Sequence, residues 1–285
     1  MSPDPVQIED IILSHSARGM DRVRGTLRPG YCTRAARLIL DHRRRVLIGT
    51  GFPVGGSFET DGPIGAIGLY RVLEALGSEP IFGCAPPIAT VLCRRFRTCE
   101  IPILSWEATL PLADRELERM RPSLIVSIER PGVAADGRYY NMRGRDISDH
   151  LAKFDLFCTR CACPTIAVGD GGNEIGMGNI LPQLAQLPII PSVTACSELV
   201  IATVSNWGVY GIIAAMSLEL GRDLFRCFDP QEIVADLVRF GAVDGKTGNP
   251  EPTEDGYPLS VGLEIIARLR ALFPASMVQP AAPPP

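Results

Sequence analysis

Apolar residues recur along the chain in two rhythms. Short β-rich apolar runs at 45–52, 80–85, 100–106, 123–129, 164–168 and 198–204 predict strands. Segments with apolar residues at helical spacing, at 65–76, 112–120, 147–156, 209–220, 230–240 and 259–272, predict helices between and after them. Strand and helix alternate through most of the length, so the expected class is α/β: a mostly parallel sheet with helices on both faces, a Rossmann-like three-layer sandwich. Leu124-Ile125-Val126 and Ile166-Ala167-Val168 have no polar residue to face water and are expected in the middle of the sheet. One domain is expected over 1–273. The Pro/Ala-rich tail at 274–285 has little to pack and is expected to be disordered.

Composition narrows the function classes. The chain has 285 residues, 46% of them hydrophobic, enough for a large core, and no apolar run reaches the ~20 residues of a membrane-spanning helix. The acidic start, with Asp4, Glu9 and Asp10, is unlike a signal peptide, and a cytoplasmic location is expected. Nine scattered cysteines suit reduced thiols better than a disulfide framework. The net charge is −4, and Arg43-Arg44-Arg45 is too short a basic run for a nucleic-acid footprint, so neither nucleic acid nor membrane is an expected partner.

Ligands of open parallel sheets sit beyond the carboxyl ends of the strands, and the polar residues of this chain gather there. The first strand leads through glycines to Glu59-Thr60-Asp61-Gly62-Pro63, the fourth into Glu129-Arg130-Pro131-Gly132, the fifth into Gly169-Asp170-Gly171-Gly172-Asn173-Glu174 and the sixth into Ser205-Asn206-Trp207-Gly208. Carboxylate and amide oxygens suit a hard divalent cation, which would also relieve the repulsion among clustered carboxylates. Asp170, Asn173, Glu174, Glu59 and Asp61 are therefore candidate metal ligands, with Mn²⁺ expected and Mg²⁺ as the alternative.

A helix start near Asn173 would add an anion site at the N–H groups of Gly171 and Gly172. The competing reading of that loop is an ordinary capped helix start, and for Asp61 it is capping before Gly65. Asp244, in Gly241-Ala242-Val243-Asp244-Gly245-Lys246, reads most simply as a turn residue. Glu129-Arg130 reads either as a base beside a carboxylate-binding guanidinium or as a surface ion pair.

Two other signals are set aside. Gly49, Gly51 and Gly55 are interrupted by Pro53, and no ribose-binding acid follows the second strand, so the glycines are not a dinucleotide site. Cys158, Cys161 and Cys163 lack a fourth zinc ligand. His15, His42 and His150 adjoin no nucleophile motif, which leaves acid/base work to carboxylates.

Glu59-Thr60-Asp61-Gly62-Pro63, Ile128-Glu129-Arg130-Pro131-Gly132, Asn141-Met142-Arg143-Gly144, the run from Gly169 to Asn179, Val204-Ser205-Asn206-Trp207-Gly208 and Gly241-Ala242-Val243-Asp244-Gly245 together resemble the D-glutamate cyclase C-terminal domain family. The resemblance implies a lyase that converts D-glutamate to 5-oxo-D-proline and water with help from Mn²⁺. On that basis Glu129, Asp61 and Asp170 are the expected catalytic residues. Arg130, Arg143, Gly171, Gly172, Ser205 and Asn206 are the expected contacts for a small acidic substrate.

The family's animal enzyme joins this domain to a hydro-lyase-like one, so a separate hydro-lyase-like partner protein is an expectation, and homo-oligomerisation stays open. The rival readings are a Mn²⁺- or Mg²⁺-dependent phosphatase or other hydrolase, and a small-molecule-binding module without turnover.

Overall fold

The computed structural model describes residues 5–15 and 18–278. Six strands form one sheet: β1 (Arg45–Thr50), β2 (Glu79–Cys84), β3 (Thr98–Glu100), β4 (Leu124–Ile128), β5 (Thr165–Gly169) and β6 (Glu198–Ile201). They pair in the order β3-β2-β1-β4-β5-β6, every pair parallel. The runs without a polar break lie inside the sheet, as expected, and every residue of β4 and β5 is buried.

Register and side-chain alternation sort the layers. Gly49, Ser127, Ala167 and Leu199 are aligned across four strands and share one face. On that face the Cα of Gly49 abuts the Phe154 ring, and Ala167 and Leu199 abut Gly176. Val168 and Val200 point the other way, against Gly208 in the helix Ser205–Leu220. The sheet is thus covered on both faces, a three-layer α/β sandwich. Among the described residues no helix is long and apolar enough to cross a membrane.

The chain winds from β1 outward to β3 and then returns to the far side of β1 with β4. That reversal opens a crevice beyond the carboxyl ends of β1 and β4, where Thr50 leads into Gly51 and Ile128 into Glu129.

Four sequence expectations need correction or limits. The third strand is Thr98–Glu100 and not 100–106; the apolar residues after it include Ile103 and Leu104, which are exposed beyond the sheet edge. The segment 147–156 is not one helix: a 3₁₀ turn at Ser148–His150 and extended backbone at Leu151 break it before Asp155–Arg160. No helix starts at Asn173; the chain first turns into a 3₁₀ helix at Met177–Ile180. In the tail, Ala275–Val278 forms a short helix, and 279–285 lie outside the described residues.

Candidate functional site

The site is assembled by helix ends that cap one another. The helix Ser205–Leu220 starts after Val204, which offers no side-chain cap. Asp61 supplies it: Oδ2 accepts from the Ser205 N–H at 3.0 Å, and Oδ1 accepts from the Asn206 and Gly62 N–H groups, both at 2.8 Å. The helix Pro63–Ala75 likewise lacks its own side-chain cap, and Asn206 Oδ1 accepts from the Gly65 N–H at 2.7 Å. Asp61 is thereby fixed at the positive end of a 16-residue helix. Asn206 is used on both sides, since its Nδ2 also donates to Thr60 O at 3.3 Å.

Glu129 follows β4 with φ +46°, a left-handed backbone unusual for glutamate. Gly62 permits the approach, because a Cβ there would lie 2.6 Å from the Glu129 Cβ. The Ser205 hydroxyl donates to Glu129 Oε2 at 2.5 Å, so one serine holds Glu129 through its side chain and Asp61 through its backbone. One oxygen each from Asp61, Glu129 and Asp170 lies within 4.8 Å of the others, and all three residues are buried. Asp170 is held on one side only: Oδ1 accepts from Arg18 Nη1, whereas the buried Oδ2 has no hydrogen-bond partner.

Above these groups opens a cavity of about 880 Å³. Glu59, Glu129 and Arg18 reach it from the acidic side, and Arg143, Arg145, His150 and Lys246 line its other walls. Arg18 also donates from Nη2 to Asp255 Oδ1, so two carboxylates share its guanidinium.

The acids face a common electrostatic problem. Burial, then repulsion from Asp170 and other carboxylates, holds Asp61 and Glu129 well above the usual range. Burial and Asp255 do the same to Glu59. Asp170 is pushed up to about 6 by burial, against the pull of Arg18, and Asp255 to about 7 by burial and Asp170. The cluster therefore favours protons or added cations over full ionisation.

A divalent cation fits this arrangement. The donors are hard carboxylate oxygens from separate segments, and the unpartnered Asp170 Oδ2 is a buried acceptor in need of a partner. Glu174 belongs to the frame: Oε1 accepts from the Gly171 N–H at 2.8 Å and Oε2 from the Gly172 N–H at 2.7 Å. Those N–H groups are consequently turned to Glu174 and not to an anion. Asn173 donates to Tyr140 O at 2.9 Å and leaves its Oδ1 buried without a partner.

Arg130 is a strut beneath the crevice. Its guanidinium donates to Thr50 O at 3.2 Å and Ala152 O at 3.1 Å and lies over Phe154, so its N–H groups are directed to the frame and not to the cavity. Of the two arginines singled out in the sequence, Arg143 is the one that reaches the cavity. Asp244 is a turn residue, accepting from the Lys246, Thr247 and Gly256 N–H groups. Arg18, Arg145, Lys246 and Asp255 carry no mark as site residues in the sequence, and His150, set aside there, lines the cavity. Asp255 had a usable signal, since Asp255-Gly256 is a tight hairpin turn with φ +50° and +79° between Thr253–Glu254 and Tyr257–Pro258.

The model of a family described as D-glutamate cyclase-like, C-terminal, matches residues 8–270. The chain belongs to that family. Human mitochondrial D-glutamate cyclase, a curated relative, is 36% identical over a 217-residue alignment that covers 64% of this chain and 34% of the human protein. The chain thus spans about a third of that relative's length. A solved exopolyphosphatase-related protein from Bacteroides fragilis aligns with 85% of this chain and 56% of its own, at 12% identity and a TM-score of 0.39, too distant a likeness to carry an argument. Asp61, Glu129 and Asp170 all fall inside the segment matched to the family.

Proposed function

We propose that this member of the D-glutamate cyclase-like family is a cation-assisted lyase that closes D-glutamate to 5-oxo-D-proline with release of water. The observation that carries the reading is the buried Asp61, Glu129 and Asp170 cluster, with one oxygen of Asp170 unpartnered, under a cavity lined with cationic side chains. Family membership and the human relative's name support the choice of substrate.

The reaction joins the substrate amine to its γ-carboxyl carbon and expels one carboxylate oxygen as water, so the ammonium loses two protons and both end on the departing oxygen. A γ-carboxylate is a poor electrophile. Asp61, Glu129 and Asp170 would hold the divalent cation, Mn²⁺ or Mg²⁺, which when bound supplies Lewis-acid polarisation and offsets negative charge. Of the three, Glu129 is the one that faces the cavity, so it is placed to take protons from the amine and pass them to the leaving oxygen. Ser205 fixes the Glu129 carboxylate at 2.5 Å. Arg143, Arg145 and Lys246 carry the positive charge that would hold the carboxylates of the substrate.

The test is to incubate the purified protein with D- or L-glutamate, with Mn²⁺ or with a chelator, and to follow 5-oxoproline. Product from D-glutamate that requires the cation and is lost in Glu129→Gln supports the reading. Hydrolysis of a phosphate ester without cyclisation would replace it with a phosphatase. Tight D-glutamate binding with no product would replace it with a binding module.

A further inference from the structure

Among the described residues, Arg18 is the one guanidinium shared by two of the site's buried carboxylates. It reaches them from the N-terminal part of the chain, donating to Asp170 Oδ1 and Asp255 Oδ1, and its side chain is 18% exposed toward the cavity that it helps to line. Its grip on Asp170 is one-sided: the oxygen it holds is satisfied, and the other, Oδ2, is buried without a partner in a residue that has an oxygen within 4.8 Å of Asp61 and Glu129. Glu59 and Glu129 are also close enough to act on its charge.

We infer that Arg18 is a positioning residue that serves as the built-in counter-cation of the acidic cluster and moderates how tightly that cluster binds a divalent cation. Two physical effects lead there. A guanidinium cannot lose its proton under ordinary conditions, so its charge stays in the site and opposes any second positive charge brought to Asp61, Glu129 and Asp170. By fastening one oxygen of Asp170, it also keeps the carboxylate turned so that only Oδ2 is available to a ligand. Asp255 draws part of the Arg18 charge away from Asp170, so Asp255 and Arg18 act on the cluster with opposite sign.

This inference rests on the cation-assisted reading, and its test uses binding without substrate. Mn²⁺ affinity of the full chain is measured by calorimetry for wild type, Arg18→Met, Arg18→Lys and Asp255→Asn. Arg18→Met is expected to tighten binding by on the order of ten-fold or more, Arg18→Lys to stay within about three-fold of wild type, and Asp255→Asn to weaken binding by about ten-fold. A merely architectural Arg18 would instead make Arg18→Met and Asp255→Asn both weaken binding, and that result overturns the inference. If Arg18→Met does not fold, Arg18→Gln takes its place: affinity equal to or weaker than wild type overturns the proposal. Wild-type protein that binds no Mn²⁺ overturns both this inference and the cation-assisted reading, whereas wild-type binding with unmoved variants overturns this inference only.

Discussion

Replacing Asp170 with asparagine should make the metal-free protein more stable, although it removes a residue proposed to be essential. Asp170 is wholly buried, its Oδ2 lacks a partner, and burial with neighbouring carboxylates lifts it from 3.8 to about 6 despite Arg18. At neutral pH the fold therefore holds this group ionised at a cost. A shift of that size is worth roughly 3 kcal/mol at about 1.4 kcal/mol for each pH unit.

Asparagine avoids the cost. Its Oδ1 can still accept from Arg18, and its Nδ2 can donate toward Asp61 or Glu129 in place of the unpartnered oxygen. The sign follows from linkage: for a carboxylate with a raised folded pKa, stability is full below the unfolded value and is lost as pH rises through the folded one. The advantage of Asp170→Asn should thus be roughly 3 kcal/mol near pH 7.5, or roughly 6 °C in Tm, and about half as large at pH 5. Chelator-treated wild type and variant would be compared by thermal and urea unfolding at both pH values. Mn²⁺ at about a thousand times its Kd should then stabilise wild type by about 4 kcal/mol, enough to overtake a variant that cannot bind it. A metal-free Asp170→Asn protein less stable than wild type at pH 7.5 would refute the argument that the cluster is held under repulsion.

Two further substitutions separate the frame from the site. In Glu174→Gln one of the two oxygens that accept from Gly171 and Gly172 becomes a donor, so the loop should lose about 1–3 kcal/mol and the amides of Gly171 and Gly172 should exchange with deuterium faster. Unchanged protection of both amides would refute the clamp. In Gly262→Ala the new Cβ would lie 1.8 Å from Glu254 Oε2, displacing a carboxylate that accepts from Trp207 Nε1 at 3.2 Å and Tyr210 OH at 2.9 Å. A loss of about 3 kcal/mol or more in urea unfolding is expected, and a loss under 1 kcal/mol would count against it.

The sheet was legible because burial on two faces leaves an unbroken apolar run, as in β4 and β5. The edge strand β3 was misplaced because its three residues, Thr98, Cys99 and Glu100, are shorter and more polar than the apolar stretch that follows them. Asp61, Glu129 and Asp170 could be found because the fold places the ends of β1, β4 and β5 together, and loops after those strands had to supply any site. Arg18 could not be found this way. It arrives from outside the strand–loop pattern, and nothing in its neighbouring residues marks a guanidinium destined for Asp170 and Asp255.

The roles within the loops were ambiguous for a different reason: a carboxylate or amide beside glycines has the same spelling whether it faces a ligand or a backbone N–H. Hydrogen-bond accounting resolves the ambiguity. Glu174 has each oxygen on a loop N–H, and Asn206 spends its amide on Gly65 and Thr60, so both hold the frame. Asp61 is also saturated by backbone donors, yet it remains within reach of Glu129 and Asp170 because carboxylate oxygens have lone pairs to spare. Asp170 alone among these acids keeps a buried oxygen without a hydrogen-bond partner, and Asn173 Oδ1 on the same loop is also unpartnered, a local deficit that architecture alone explains poorly.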